Sequence, residues 1–225
     1  MNRKLVGSVC LLALALCSLP AMAGTLYSNF GTGTNVYYCC SGWTISGTGT
    51  IGTSFTSANE FSPTTSGSVS EIDVAVGLVV GPDSFYVDVD ANNNGQPGAV
   101  LASFTGLTSN GNNFGSGCSG GNCPYTAITG ISGLNLTAGT DYWLVIGPSS
   151  TSSATWEAWN FSNSATGIDD YSTDGGNTWL SNGEQTQGAF QILGGGGTTP
   201  EPTSLLLFGT GVLGVIGAFR RKMKL

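Results

Sequence analysis

Apolar residues in this chain recur at every second position, and nowhere does a helical period persist for more than a turn or two. Ile72, Val74, Val76 and Leu78 fall on one face of an extended segment, with Glu71, Asp73, Ala75 and Gly77 on the other. Phe85, Val87 and Val89 alternate with Tyr86, Asp88 and Asp90, and Tyr142, Leu144 and Ile146 with Trp143 and Val145. Trp156 and Ala158 alternate with Glu157 and Trp159, and Phe190 with Ile192 marks a last strand. Gly, Ser, Thr and Asn punctuate the segments, Gly alone supplying 36 of the 225 residues. Many short strands separated by turn residues predict an all-β domain over 24–193, an antiparallel β-sandwich of jelly-roll type. A β-helix needs a fixed internal repeat, and none is present.

The charge distribution narrows function further. All six cations lie near a terminus (Arg3, Lys4, Arg220, Arg221, Lys222, Lys224), and the chain has no His. Twelve of the thirteen acids lie between residues 24 and 199, where there is no basic side chain at all. Such a stretch has no electrostatic footprint for nucleic acid. It lacks the Lys or Arg of a phosphoryl clamp, the Lys of a Schiff base and the His of a catalytic triad. The expectation is a non-enzymatic protein.

Both ends read as addresses. Residues 1–23 form an export signal: Arg3 and Lys4, an apolar run over 5–19, Pro20, and an A-x-A site at Ala21 and Ala23 that places cleavage before Gly24. Residues 194–199 are a Gly/Thr linker. Beyond it come Pro200, Glu201 and Pro202, an uncharged apolar helix expected over 204–219, and the basic run Arg220, Arg221, Lys222. That helix is short for a ~30 Å hydrocarbon core, and the basic cluster sets the tail in the cytoplasm and the rest outside.

Pro-Glu-Pro, a Leu/Gly-rich span with Phe208-Gly209-Thr210-Gly211, then Arg-Arg-Lys at the terminus, resembles the PEP-CTERM sorting signal over 200–225. The resemblance implies a substrate of exosortase, a membrane protease of Gram-negative bacteria. Pro200, Glu201 and Pro202 would be its recognition residues and Arg220 to Lys222 the cytoplasmic stop. It implies a precursor held in the inner membrane with a periplasmic ectodomain, then release to the cell surface or matrix, often beside exopolysaccharide and biofilm. The ectodomain carries Ala58-Asn59-Glu60-Phe61, Gln96-Pro97-Gly98, Thr140-Asp141-Tyr142-Trp143-Leu144, Trp156-Glu157-Ala158-Trp159-Asn160 and Tyr171-Ser172-Thr173-Asp174-Gly175-Gly176-Asn177-Thr178-Trp179. In that order these resemble the choice-of-anchor extracellular domains, type R, a family with no activity to carry over.

Four constellations bear on chemistry. Asp90, Asn92 and Asn94 followed by Gly95 fit the first half of a calcium loop, with Asp88 as a further donor, but Leu101 stands where the closing Glu belongs. The plainer reading is a polar turn between two strands. Residues 172–179 match the Asp-box pattern, a hairpin device. Glu71 with Asp73, Asp88 with Asp90, Asp169 with Asp170, and Glu157 are the acids a glycosidase would draw on, though the i,i+2 spacing of the first two pairs more simply describes the solvated face of a half-buried sheet. Five tryptophans offer a sugar-stacking platform or, more simply, a core. Trp156 and Trp159, three apart, cannot both face inward on one regular strand.

Cys39, Cys40, Cys118 and Cys123 remain after signal removal, and export favours disulfides over zinc. A local Cys118–Cys123 bridge would leave Cys39 and Cys40 as a strained vicinal pair or free. The alternative is two long-range bridges between the two segments. The leading function is an exported surface or matrix protein with no cofactor. The alternatives are a carbohydrate-binding module for exopolysaccharide, with calcium as its one candidate ion, then a glycoside hydrolase, then an ice-binding protein.

Overall fold

A computed structural model describes residues 24–33, 36–116 and 123–195. The expected signal helix, the helix over 204–219, the cleavage residues Ala21 and Ala23, the sorting residues 200–202 and 220–222, and Cys118 all lie outside these. Among the described residues no helix is long and apolar enough to cross a membrane.

The chain runs through β1 (Gly24–Ser28), β2 (Gly42–Ser46), the single helical turn α1 (Thr48–Ile51), β3 (Thr56–Phe61), β4 (Gly67–Val74), β5 (Val76–Val80) and β6 (Phe85–Asn92). It continues through β7 (Pro97–Leu107), β8 (Thr126–Thr129), β9 (Asn135–Leu136), β10 (Tyr142–Pro148), β11 (Trp156–Ser172), β12 (Leu180–Gly188) and β13 (Phe190–Gly194). One sheet has the order β1-β13-β4-β8, with β9 also on β4; the other has the order β12-β11-β3-β10-β6-β7, with β2 and β5 beside β11. Their strands pair antiparallel, as the period-two pattern predicts. The core forms between the sheets: Ile72, Val74, Phe190 and Ile192 from one meet Val87, Val89, Leu144 and Ile146 from the other. Each such side chain contributes about 1.5–3 kcal/mol of burial.

The apolar run from Ile72 to Leu78 is not one strand. It breaks at Ala75, sending β4 into the first sheet and β5 into the second. Three segments meet at this corner. Asn160 N–H and its side-chain amide both donate to the Ala75 carbonyl (2.8 and 3.0 Å), Ala189 N–H donates to the Asn160 carbonyl (2.7 Å), and Ala75 N–H donates to the Ala189 carbonyl (3.1 Å). Ala75 and Ala189 are fully buried. Trp159, on β11, drives its indole into the same corner and donates from Nε1 to the Ala189 carbonyl at 3.1 Å. A Cβ on Gly188 would sit 2.2 Å from that indole, so only glycine fits there. Trp156, on the opposite face of β11, is only partly buried, as the three-residue spacing requires.

The second sheet is covered on its outer face too. Ala58, Trp143 and Val145 form a second apolar cluster, with Tyr86, Ile168 and Trp179 packed on it. Trp143 is fully buried although it points away from the main core. The lid is made by two hairpins: Trp143 Nε1 donates to Asn92 Oδ1 at 3.3 Å, and Gln96 Nε2 donates to the Trp179 carbonyl at 3.3 Å.

Candidate functional site

An open groove of about 280 Å³ lies where β1, β3, β11 and β12 converge. Glu60 and Phe61 come from the end of β3, Asp141 from the approach to β10, Thr166 and Ile168 from the middle of β11, and Glu184 and Gln187 from β12. Tyr27 of β1 closes one wall, its ring stacked 4.8 Å from Phe190 and tilted 5.2 Å from Phe61. Its hydroxyl donates to Gln187 Oε1 (2.8 Å), and Gln187 Nε2 donates onward to the Glu60 carbonyl (2.6 Å). Gly167 admits this arrangement, because a Cβ there would meet Gln187 Nε2 at 2.5 Å. Thr166 donates to Glu184 Oε1 (3.0 Å), Asn92 Nδ2 to Glu60 Oε1 (3.3 Å), and the Ser62 hydroxyl to Asp141.

Three carboxyl groups therefore face the groove with hydroxyl or amide donors and no cation. Burial, then the charges of Asp141 and Asp170, push Glu60 upward. Burial pushes Tyr27 up to about 12, so its hydroxyl stays a donor. The lining is rich in acceptors and suits a ligand that brings donors, such as a polyol. The groove contains Tyr27 and Phe61 but no tryptophan. Sequence reasoning missed it. Glu60, Asp141 and Glu184 lie far apart along the chain, and only the pairing of β3 with β10 and β11 and of β11 with β12 brings them together.

The acids singled out from sequence go elsewhere. The pairs Glu71/Asp73 and Asp88/Asp90 were expected on solvated sheet faces, yet Asp73 and Asp90 are buried. Asp73 is 1% exposed and accepts from Gln191 Nε2 at 2.6 Å, with burial raising it to about 6. Asp88 and Asp90 lie on β6 opposite Val145 and Trp143, under the outer cluster; burial and then Asp88 bring Asp90 to about 7. Asp169 and Asp170 are fully buried on opposite faces of β11. Asp169 accepts from Asn59 Nδ2 (2.8 Å) and Asn182 Nδ2 (2.6 Å), and burial raises it to about 7. Glu157 is fully buried beside Asp83 and the Ser84 backbone, and burial followed by the charge of Asp83 lifts it to about 9. For Asp88, Asp90 and Asp170 the physical reason is the second layer of cover on the outer face, which alternation along one strand does not reveal.

The calcium-loop residues form a hairpin turn. Asn94 (φ 55°) and Gly95 (φ 82°) both take positive φ, and Asn93 and Gln96 exchange backbone bonds of 2.9 and 3.3 Å. This is a two-residue turn of type I′. Asn92 Oδ1 accepts from Gly95 N–H at 2.9 Å as well as from Trp143, and Asn94 Nδ2 donates to Asn93 Oδ1. Among the described residues no group of three His, Cys, Asp or Glu side chains lies placed to hold a metal ion.

The Asp-box is likewise a hairpin device joining β11 to β12. Asp174 accepts from the N–H groups of Asn177 and Thr178 (3.1 and 2.9 Å) and from the hydroxyls of Ser172 and Thr178 (both 2.7 Å). These bonds, led by the Thr178 hydroxyl, hold Asp174 down at about 2. The turn delivers Trp179 onto the outer cluster.

Cys39 and Cys40 are free thiols, so the two long-range bridges expected as one alternative do not form. Cys39 packs on the cluster that contains the buried Cys123.

Residues 198–222 match the PEP-CTERM protein-sorting motif, which takes in Pro200 to Pro202 and Arg220 to Lys222. No curated protein matches the chain. The motif marks the chain as a substrate of an exosortase-type sorting system, exported and sorted to the cell surface.

Proposed function

We propose that the chain is a non-enzymatic surface or matrix protein whose β domain is displayed outside the cell once its tail has been processed. The matched tail carries this reading. Pro200 and Pro202 each disfavour helix at the preceding residue, a composition suited to a recognition segment read by a protease, and the charge of Glu201 makes entry into a bilayer costly. The start of β1 at Gly24 supports removal of residues 1–23, because that cut leaves the pairing of Gly24 with Gly194 intact. Processing gives a mature form that lacks residues 205–225. Glu201→Ala leaves full-length precursor in the inner membrane, measured by fractionation and intact mass. Surface protein that retains Phe219 and Arg220 would make the tail a permanent anchor.

The groove favours a second reading for the displayed domain, the binding of a neutral glycan such as exopolysaccharide. Tyr27, which is only partly buried, supplies apolar ring surface over the buried Phe61, and the acid side chains accept sugar hydroxyls. Glycan-array binding that disappears in Tyr27→Ala and Glu60→Gln supports it; an array with no binding leaves display alone.

A further inference from the structure

Two free thiols stand side by side in the segment between β1 and β2. Cys39 Sγ and Cys40 Sγ are 2.9 Å apart in a turn, Cys39 half-buried and Cys40 exposed. That is closer than two sulfurs rest when merely in contact, and about 0.9 Å longer than the ~2.05 Å of a covalent bond. The turn is held from both sides: Gly115 N–H donates to the Cys39 carbonyl (3.0 Å), and Tyr38 N–H donates to the Phe161 carbonyl of β11 (2.9 Å). Phe30, Val36 and Cys39 pack against buried Tyr37 and Ala75, which fixes the inner sulfur while the outer one meets solvent. No basic group lies between residues 24 and 199 to draw out a thiolate, and the neighbouring Cys39 pushes the Cys40 thiol up.

We propose that Cys39 and Cys40 form a vicinal redox pair that closes to a disulfide in an oxidising compartment and reopens under mild reduction. On closure two S–H bonds break and one S–S bond forms. The two electrons and two protons pass to a protein or small-molecule disulfide, which becomes two thiols. Adjacent Cα atoms are ~3.8 Å apart, below the ~4.4 Å minimum usual for disulfides, so the small ring is strained. Strained, exposed disulfides are the labile ones. Because the pair encloses almost no chain, its closure removes little unfolded-state entropy. The pair therefore acts as a switch in the turn beside Tyr38, which is 56% exposed, and not as a structural staple.

The proposal rests on export for its setting, and two measurements separate the chemistry from that setting. Trypsin cannot cut between residues 24 and 199, which lack Lys and Arg, but chymotrypsin cuts after Tyr38 and Trp43. Full-length chain from the cell envelope is acid-quenched, alkylated without reductant, and digested. The expected 39–43 peptide is lighter than the dithiol by two hydrogens, takes no alkyl group, and takes two after reduction. The same chain, reduced and then equilibrated in glutathione buffers, is expected to close the pair, with Cys40→Ser abolishing closure and leaving the melting temperature unmoved. If the envelope peptide is alkylated twice but the pair closes in glutathione disulfide, the pair stands and the oxidising setting falls. A peptide that stays doubly alkylated in glutathione disulfide, or one cross-linked to another segment, overturns the proposal.

Discussion

Stability of the ectodomain should fall as pH rises from about pH 5 to about pH 7, the reverse of the usual acid lability of proteins whose carboxylates are paired with cations. Glu157 and Asp169 serve to size the effect. Burial raises them to about 9 and about 7 in the folded chain, against about 4.3 and about 3.9 when unfolded. A raised acid pKa means that the folded state keeps a proton the unfolded state has released. Stability is therefore greatest below the unfolded values and falls with each pH unit until the folded values are reached. Each group contributes about 1.4 kcal/mol per unit, so the two together remove about 5 kcal/mol across this window. Asp73 and Asp90, raised to about 6 and about 7, act in the same direction. Against a typical total of about 5–15 kcal/mol this is a large share, equivalent to about 10–20 °C in melting temperature for a domain of this size. The assay is urea and thermal unfolding followed by tryptophan fluorescence, since Trp143 and Trp159 are fully buried. Glu157→Gln should remove about a quarter to a third of the slope by replacing the proton with a permanent neutral amide. A midpoint that stays flat or rises between about pH 5 and about pH 7 would refute the reasoning.

Gly188→Ala forces a Cβ to within 2.2 Å of the Trp159 indole; it should cost about 1–3 kcal/mol and redden Trp159 emission, both read in one urea titration. Asp174→Ala removes the acceptor for two N–H and two hydroxyl groups. Hydrogen exchange should then accelerate across the end of β11 and the start of β12 while β4 and β13 stay protected. Its pKa near 2 also means that this support is present above the unfolded value of about 3.9 and disappears only as pH falls toward 2. N-terminal sequencing of the exported protein should begin at Gly24, the first residue of β1; a chain still starting at Met1 would contradict removal of the signal.

Local grammar carried much of this protein. Period-two alternation located the extended run that divides into β4 and β5, and with it β6, β10, β11 and β13, because a residue's neighbours two positions away determine which side of a pleated strand is apolar. Asn94 and Gly95 announced a turn through their tolerance of positive φ, and residues 172–179 announced a hairpin closed by bonds within a few positions. The sorting tail was legible for the same reason: Pro200 to Pro202 and the cations after it act as a linear signal.

What the sequence determined alone was a constraint without an address. Twelve acids and no base between residues 24 and 199 mean that any carboxyl buried there must be neutral or held by neutral donors. Which acids those are was decided only when β11–β12 and the β6–β7 turn folded over the outer face of the second sheet, burying Asp90 and Asp170 together with Trp143. The break at Ala75 and the assembly of Glu60, Asp141 and Glu184 around one groove were decided the same way. These are contacts between strands distant in the chain, set by register and by the space two layers leave, and periodicity along one strand contains neither.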